Sequence, residues 1–314
     1  MSNGRRISFR AALAALGVTP AVAGALVAAI VATGMLAALV LSKPASKVAP
    51  KKRPAATRTA AESVAEGAFE AAPAELQSAF ERYAVPAPEG SAPPYIALIF
   101  DDMGMDMVRT KRVLDLPYVF SVSYLAYAPA LKSQVAAARA AGKEAMIHVP
   151  MEAEGSALMN YGGEYLSTGV SRPENARRLR LMLARAGEGY VAVNNHMGSK
   201  FTRDGPQMAA VMQVLAEQGI GFVDSLTTTK TPARALAARY GVPFAERSVF
   251  ADDKSEPEAI RRELAKAERT ARARGFAVVI AHPRSSTLEA MAEWLPLLKG
   301  RGFSLVPASK VMAK

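Results

Sequence analysis

The sequence contains no cysteine and only three histidines among its 314 residues. The absence of cysteine excludes a disulfide framework, a thiolate zinc site and a thiol nucleophile. The absence of cysteine does not indicate whether the protein lies in an oxidising or a reducing compartment.

Acidic residues are absent from one end of the chain. None precedes Glu62, whereas nine basic residues do, and residues 59–314 hold the other 30 basic residues and all 28 acidic ones. A nucleic-acid-binding domain would carry its lysines and arginines on the folded part. The net charge of +11 therefore reflects a basic N-terminal arm, and nucleic acid is not an expected partner.

A long apolar run, PAVAGALVAAIVATGMLAALVL, occupies residues 20–41 and contains no charged residue. At ~1.5 Å per residue, a helix of this length crosses a hydrocarbon core ~30 Å thick. A cleavable signal peptide usually has a shorter apolar core of ~7–15 residues, although small residues before Ser42 leave cleavage open. We predict a transmembrane anchor or signal segment at 20–42, preceded by a short basic cytoplasmic tail at 1–19.

Residues 43–94 are rich in alanine, proline and lysine, which is typical of a flexible tether, with one weakly amphipathic stretch. Basic residues flank both sides of the apolar run, and a count of them favours a cytoplasmic position for the C-terminal side.

From Tyr95 onward, short apolar runs alternate with longer helical patterns. Continuous apolar strands separated by helices predict a parallel sheet that helices cover on the outside. Seven or eight such units in residues 95–314 favour a single α/β barrel over two domains.

Residues with catalytic chemistry follow the apolar runs. Asp101 and Asp102 follow the first run, and all three histidines of the chain, His148, His196 and His282, lie at the ends of other runs. Parallel α/β folds place reactive groups at the carboxyl ends of their strands. Each residue alone also has a structural explanation, such as a helix cap or a hydrogen-bonded imidazole. Together they predict one polar site at the barrel mouth.

Clustered carboxylates repel each other unless a cation lies among them. Two imidazoles and one carboxylate would bind a divalent metal and leave a position for water, as in catalytic zinc sites. Such a metal lowers the pKa of its water to roughly 7. The second aspartate would act as a general base, and the remaining histidine would protonate a leaving amine. This arrangement predicts metal-assisted hydrolysis.

Several segments resemble the divergent polysaccharide deacetylase family, a branch of the carbohydrate esterase deacetylases. They are IFDDMG, HVPM, NNHMGS, FVDS, IAHPR and GFSLVPAS, which together span nearly all of the folded part. The resemblance implies a distorted (β/α) barrel and a metal-dependent hydrolase, with zinc as the expected cofactor. It further implies N-deacetylation of an envelope polysaccharide or oligosaccharide, with Asp101 as the general base and Asp102 as a metal ligand.

The sequence departs from the better-known branch of these deacetylases. That branch takes both histidine ligands from one H-x-x-x-H segment, whereas Glu152 and Lys200 stand four residues after His148 and His196. The second imidazole is therefore expected from another strand. We assign the metal ligands as Asp102, His148 and His196 and the catalytic acid as His282, which is the other available source of an imidazole. The Arg-Pro-Tyr motif, whose backbone helps to hold the acetate oxyanion in that branch, is missing.

Further polar residues lie near the same predicted strand ends: Asn194, Asn195, Ser199, Asp224, Ser225 and Arg284. They are candidates for orienting the ligands or binding substrate, with Arg284 suited to a carboxylate or phosphate. Loop turns and caps are the alternative role. Trp294 lies in an apolar helical pattern and is predicted to be core.

The leading hypothesis is a deacetylase of an envelope polysaccharide, whose near-neutral domain suits an uncharged glycan. This substrate lies outside the inner membrane, so we expect a single-pass protein with a periplasmic domain, against the count of positive charges. A catalytically weak, metal-containing protein that binds glycan or organises wall partners is the alternative. A metal-assisted phosphoesterase is a third hypothesis, and it would require more basic residues near the site than Lys200, Arg203 and Arg284.

Overall fold

The computed structural model describes residues 77–155 and 164–313, which belong to the compact unit Ala71–Lys314. No helix within these ranges is long and apolar enough to cross a membrane. The predicted tail (1–19), the anchor or signal segment (20–42) and most of the tether lie outside the described residues and stay predictions.

Nine strands form one sheet in which all ladders are parallel, in the order β6-β5-β4-β3-β2-β1-β8-β7, with β9 added beside β1. The predicted parallel α/β architecture is thus confirmed. The strands are β1 (Tyr95–Met103), β2 (Ser121–Leu125), β3 (Glu144–Met151), β4 (Tyr190–Met197), β5 (Gly221–Asp224), β6 (Phe244–Glu246), β7 (Val249–Phe250), β8 (Phe276–Ala281) and β9 (Ser304–Val306).

Helices connect the strands and cover the sheet. They are α1 (Ala79–Tyr83), α2 (Met107–Leu114), α3 (Leu131–Ala140), α4 (Arg172–Ala186), α5 (Gly205–Gln218), α6 (Ala233–Tyr240), α7 (Pro257–Arg274) and α8 (Ser285–Trp294). Short 3-10 turns lie at Phe201–Arg203, Leu295–Leu297, Lys299–Arg301 and Ala308–Val311. Trp294, predicted as core, is buried and donates its indole N–H to Glu268 Oε1 at 2.9 Å.

Alternate residues of β1 belong to two separate cores. Ile96 and Leu98 pack in the layer between sheet and helices, while Ala97 and Ile99 pack with residues of other strands in a second cluster. Burial of both faces explains why the strands read as continuous apolar runs.

The two ends of the sheet, β6 and β7, are consecutive in the chain, so residues 244–250 bridge the gap between β5 and β8. The backbone N–H of Arg247 donates to Asp224 O at 2.9 Å, and that of Ser248 donates to Val278 O at 2.8 Å. No ladder joins β6 to β7 in the described residues, which is consistent with a distorted barrel. The join between β6 and β7 also splits one predicted strand position into two short strands, which gives nine strands instead of seven or eight.

The folded part begins before the predicted boundary at residue 95. Ser78 caps α1 in a capping box with Glu81, and the adjoining Phe80 is buried, with its N–H donating to Gly219 O at 2.7 Å. Because these residues pack on the barrel, the end of the predicted tether belongs to the domain.

A buried carboxylate joins both ends of the domain to the sheet. Glu144, at the start of β3, accepts hydrogen bonds from Val85 N (3.3 Å), Ser121 Oγ (2.9 Å) and Ser309 N (3.0 Å), and also from Ser309 Oγ. Burial raises the pKa of Glu144. This group lies at the opposite end of the strands from the predicted site, so its role is structural.

Candidate metal centre and active site

The end of β1 brings two consecutive carboxylates to one site. Successive side chains of a strand normally point to opposite faces. Here the register of β1 against β2 shifts between Phe100 and Met103, and Asp102 has a left-handed backbone with φ 55°. A bulge of this kind re-aims a side chain, so both Asp101 and Asp102 line the same cleft. Left-handed backbone at a non-glycine residue costs ~1–3 kcal/mol, which this site tolerates.

The next contributions come from β3 and β4. His148 lies within β3, and Asn194 and His196 lie two residues apart on β4, which places them on the same face of that strand. The His148 and His196 rings meet edge to face at a centroid distance of 4.9 Å. Because β3 and β4 are adjacent in the sheet, the two imidazoles come from neighbouring strands and not from one H-x-x-x-H segment.

Ligand atoms of Asp102, His148 and His196 lie within 4.8 Å of one another, and no other such group of three was found among the described residues. Asp102 Oδ1 lies 3.4 Å from His148 Nε2 and 3.0 Å from His196 Nδ1. This buried oxygen accepts no hydrogen bond of acceptable geometry. An orphaned carboxylate oxygen beside two imidazole nitrogens is a donor set that fits a divalent cation such as Zn²⁺.

Asn194 connects the carboxyl group of Asp101 to the imidazole of His148. Its Nδ2 donates to both oxygens of Asp101 at 2.9 Å. Its Oδ1 accepts from Ser123 Oγ at 2.5 Å and lies 2.9 Å from His148 Nδ1. Since Oδ1 can only accept, Nδ1 of His148 carries the proton and Nε2 keeps its lone pair for a ligand.

His282 follows β8 and forms a dyad with Asp252. Its Nδ1 lies 2.9 Å from Asp252 Oδ1, and its backbone N–H donates to Oδ2 at 2.9 Å. Thr287 Oγ1 also donates to Oδ2, at 2.7 Å. Nε2 of His282 is left facing the site, 3.7 Å from Asp102 Oδ2. Asp252 therefore fixes both the ring orientation and the tautomer of His282.

The pKa values of these groups diverge. Burial raises the pKa of Asp101 to about 7, against the charge of His282 and the hydrogen bonds from Asn194. Burial lowers the pKa of His148 to about 3. For Asp102, burial is outweighed by the contact with His196 and the neighbouring imidazoles, which hold its pKa well below the usual range. For His282, burial is outweighed by Asp252, which raises its pKa. Ionised Asp102 and neutral His148 suit ligands, while Asp101 and His282 suit proton transfer.

Comparisons with known proteins identify the family of this chain. The sequence profile described as divergent polysaccharide deacetylase matches residues 98–312. The chain belongs to the divergent polysaccharide deacetylase family. An uncharacterised protein of Haemophilus influenzae is 29% identical over 193 residues, covering 62% of this chain and 68% of its own. The uncharacterised protein YibQ of Escherichia coli is 30% identical over 221 residues, covering 69% and 67%.

A solved structure is similar in fold. The crystal structure of an uncharacterised Agrobacterium tumefaciens protein aligns with a TM-score of 0.69 at 24% identity, covering 74% of this chain and 95% of that one. At this identity the likeness shows the fold alone.

The remaining residues predicted from the sequence divide into two groups. Asn195, Ser225 and Arg284 line the cleft of the deacetylase-like fold. Ser199 Oγ instead accepts from Glu154 N at 3.0 Å, and Asp224 Oδ1 accepts from Leu226 N at 2.8 Å. Neither Ser199 nor Asp224 is among the residues that line the cleft, so both have the loop role that was the alternative.

An ion pair replaces the second histidine of the better-known branch. Lys200 Nζ lies 2.6 Å from Glu152 Oε1, and Glu152 Oε2 accepts from Ser167 Oγ (3.1 Å) and from the N–H (2.7 Å) and hydroxyl (2.8 Å) of Thr168. Burial is outweighed by these partners, which lower the pKa of Glu152 to about 2. Glu152 thus ties the ends of β3 and β4 together.

Two groups at the site escape a reading of the sequence: Arg247, which lines the cleft, and Asp252, which is buried behind His282. Asp252 and Arg247 flank β7, which is only two residues long and gives no periodic signal. The sequence VFADD does place two carboxylates after a short apolar run, as IFDD does in β1. That likeness is a weak signal for Asp252.

Proposed function

We propose that this chain is a metal-dependent hydrolase that removes acetyl groups from N-acetylated sugars of an envelope polysaccharide. The observation that carries the proposal is the cluster of Asp102, His148 and His196, which Asp101 and the His282–Asp252 dyad adjoin. The polar site lies within a cleft of about 830 Å³, which has room for a sugar.

The metal would be held by Asp102 Oδ1, His148 Nε2 and His196. When bound, a divalent cation such as Zn²⁺ supplies Lewis-acid chemistry, lowering the pKa of water and polarising a carbonyl. Its charge also offsets the cost of burying the two neighbouring carboxylates.

The protein groups supply the two proton transfers of amide hydrolysis. Asp101 accepts a proton from the attacking water as a new C–O bond forms at the acetyl carbon. His282, protonated at Nε2 and held by Asp252, donates a proton to the amide nitrogen as the C–N bond breaks. The products are acetate and a free amino sugar. Asp101 Oδ2 lies 3.7 Å from His148 Nε2, and His282 Nε2 lies 3.7 Å from Asp102 Oδ2, so both groups adjoin the ligand cluster.

The proposed location follows from the proposed substrate. An envelope polysaccharide lies outside the inner membrane, so the domain would be periplasmic, anchored in the inner membrane through a single helix at residues 20–42. A reporter fused after Lys314 should be active on the periplasmic side. Activity confined to the cytoplasm would overturn this location and most of the substrate proposal.

A second candidate function is a glycan-binding protein with a weak or absent activity. The missing Arg-Pro-Tyr motif favours it, because the backbone of that motif helps to hold the acetate oxyanion in related enzymes.

Metal content tests the proposal. The full chain, purified in detergent, should hold about one equivalent of zinc or a similar ion. His148→Ala and His196→Ala should lose it, whereas His282→Ala should keep it and lose acetate release. If both ligand variants retained full metal, the assignment would be wrong. If the metal-loaded protein bound glycan and released no acetate, the binding function would replace the enzymatic one.

A further inference from the structure

The cleft beside the ligand cluster has one strongly basic wall. This wall comes from the join between β6 and β7, the loop that follows, the first half of α7 and the turn after β8. Its charged lining comprises two carboxylates, Asp253 and Glu263, and five cations: Arg247, Lys254, Arg262, Lys266 and Arg284. The near-zero charge of the folded part therefore conceals a local excess of positive charge at the site.

Arg247 is fixed in this wall by backbone carbonyls. Its Nε donates to Ser225 O at 2.6 Å, and Nη2 donates to Leu226 O at 2.9 Å. The guanidinium also lies 5.1 Å from the centroid of the Phe250 ring. An arginine held on two sides in this way has little freedom left to lose when it binds a ligand.

Arg284 is fixed in a similar way. Its Nη1 donates to Asp252 O at 2.6 Å. Both arginines are partly buried, yet within the described ranges neither forms an ion pair with a carboxylate oxygen within 4.0 Å. The acidic groups near Arg247, of which Asp224 acts most strongly, interact with it only at longer range. A partly buried cation without a direct ion pair is costly. An anionic ligand between these two guanidinium groups would offset that cost.

The other cations of the wall act at longer range. Lys254, Arg262 and Lys266 are exposed. Lys266 pairs with Glu263 at 3.0 Å, and Arg262 reaches Glu258 only at 4.0 Å. Charges of one sign along a cleft attract a ligand of the opposite sign. By contrast, Lys200 and Arg203 pair with Glu152 and Glu154, and neither lines the cleft.

We propose that Arg247 and Arg284 form a subsite for an anionic group, a carboxylate or a phosphate, on the sugar next to the N-acetylated one. The substrate is then an acidic glycan and not the uncharged polymer that the overall charge suggests. This inference rests on the proposed function for the position of the acetylated sugar. The anion site itself is inferred only from the basic residues of the wall.

Binding of matched oligosaccharides tests the subsite. The substitution Asp101→Asn in the full chain prevents turnover, so that binding alone is measured. The affinity of this variant is measured for three probes: a neutral N-acetylglucosamine oligomer, an equally long oligomer alternating N-acetylglucosamine with glucuronate, and a phosphorylated N-acetylglucosamine oligomer. One or both anionic probes should bind at least about tenfold more tightly than the neutral probe, because a charge-assisted hydrogen bond contributes this much. The stronger of the two identifies the anion.

Arginine variants in the same background locate the effect. Arg247→Gln and Arg284→Gln should each remove most of the preference for the anionic probe, and Arg284→Lys should restore part of it. Arg261→Gln is the matched control, since Arg261 lies on α7, which contributes to the wall, but pairs with Glu293 outside the cleft at 3.1 Å. Thermal melting shows that each variant is folded.

Two outcomes overturn the subsite. One is equal binding of neutral and anionic probes. The other is an equal loss of preference in Arg261→Gln, which would show a general charge effect. Failure of the deacetylase proposal is a separate result. If the wild-type protein released no acetate, the anionic probes could still bind more tightly than the neutral one.

Discussion

Removal of the Asn194 side chain should weaken metal binding without any change in the ligands. This buried amide holds both oxygens of Asp101 and orients His148 through its Nδ1. In Asn194→Ala, His148 loses its hydrogen-bond acceptor and Asp101 loses the amide that donates to both of its oxygens. Loss of such a supporting partner lowers metal affinity by about 10–100-fold. The pKa of Asp101 should also rise further, because Asn194 lowers it in the wild type.

Competition with a chromophoric chelator measures the affinity of wild type and variant at the same pH. The matched control is Asn175→Ala, because Asn175 is equally buried and hydrogen-bonded to Ser167 and Gln207, away from the ligands. Both variants should lose stability, but only Asn194→Ala should lose metal affinity. Wild-type affinity in Asn194→Ala, or equal losses in the two variants, would refute this reasoning.

Three further predictions follow from the buried charges. Asp252→Asn should keep its metal yet release acetate about 10²–10⁴-fold more slowly, because His282 loses the anion that supports its protonated form; kcat and metal content on one preparation check this. Glu144→Gln should lower the free energy of unfolding by ~1–3 kcal/mol in chemical denaturation, since a carboxylate oxygen that accepts from Ser309 becomes a donor. The pKa of Asp101 is raised by burial from 3.8 to about 7, so the folded metal-free protein retains a proton between these values and loses stability as pH rises through this window. Asp101→Asn should remove that loss, which is about 3 kcal/mol between pH 5 and pH 8, as unfolding at these two pH values will show.

The sequence indicates the parts of the fold that depend on long apolar segments. The runs that became β1, β3, β4 and β8 are buried on both faces, so their composition alone marks them, and polar residues at their ends stand out. Two carboxylates and three imidazoles at those ends are enough to predict a common site. The structure brings all five into one cleft.

Features that depend on tertiary contacts could not be predicted in this way. Strand β7 is held by pairing with β8 and not by its own sequence pattern, so the pattern does not mark the end of this strand or Asp252. The left-handed backbone of Asp102 depends on the bulge in β1. Total charge also misleads, because the basic wall around Arg247 is balanced by acidic residues elsewhere on the surface.

Acetate release is the measurement that tests the central claim most directly. The zinc-loaded full chain is incubated with neutral and acidic N-acetylated oligosaccharides, and acetate and free amine are counted together. We predict equal amounts of both products, abolished by a chelator and by Asp101→Asn. A fully metal-loaded wild-type protein that releases no acetate from either glycan, or an Asp101→Asn variant as active as wild type, would contradict the account.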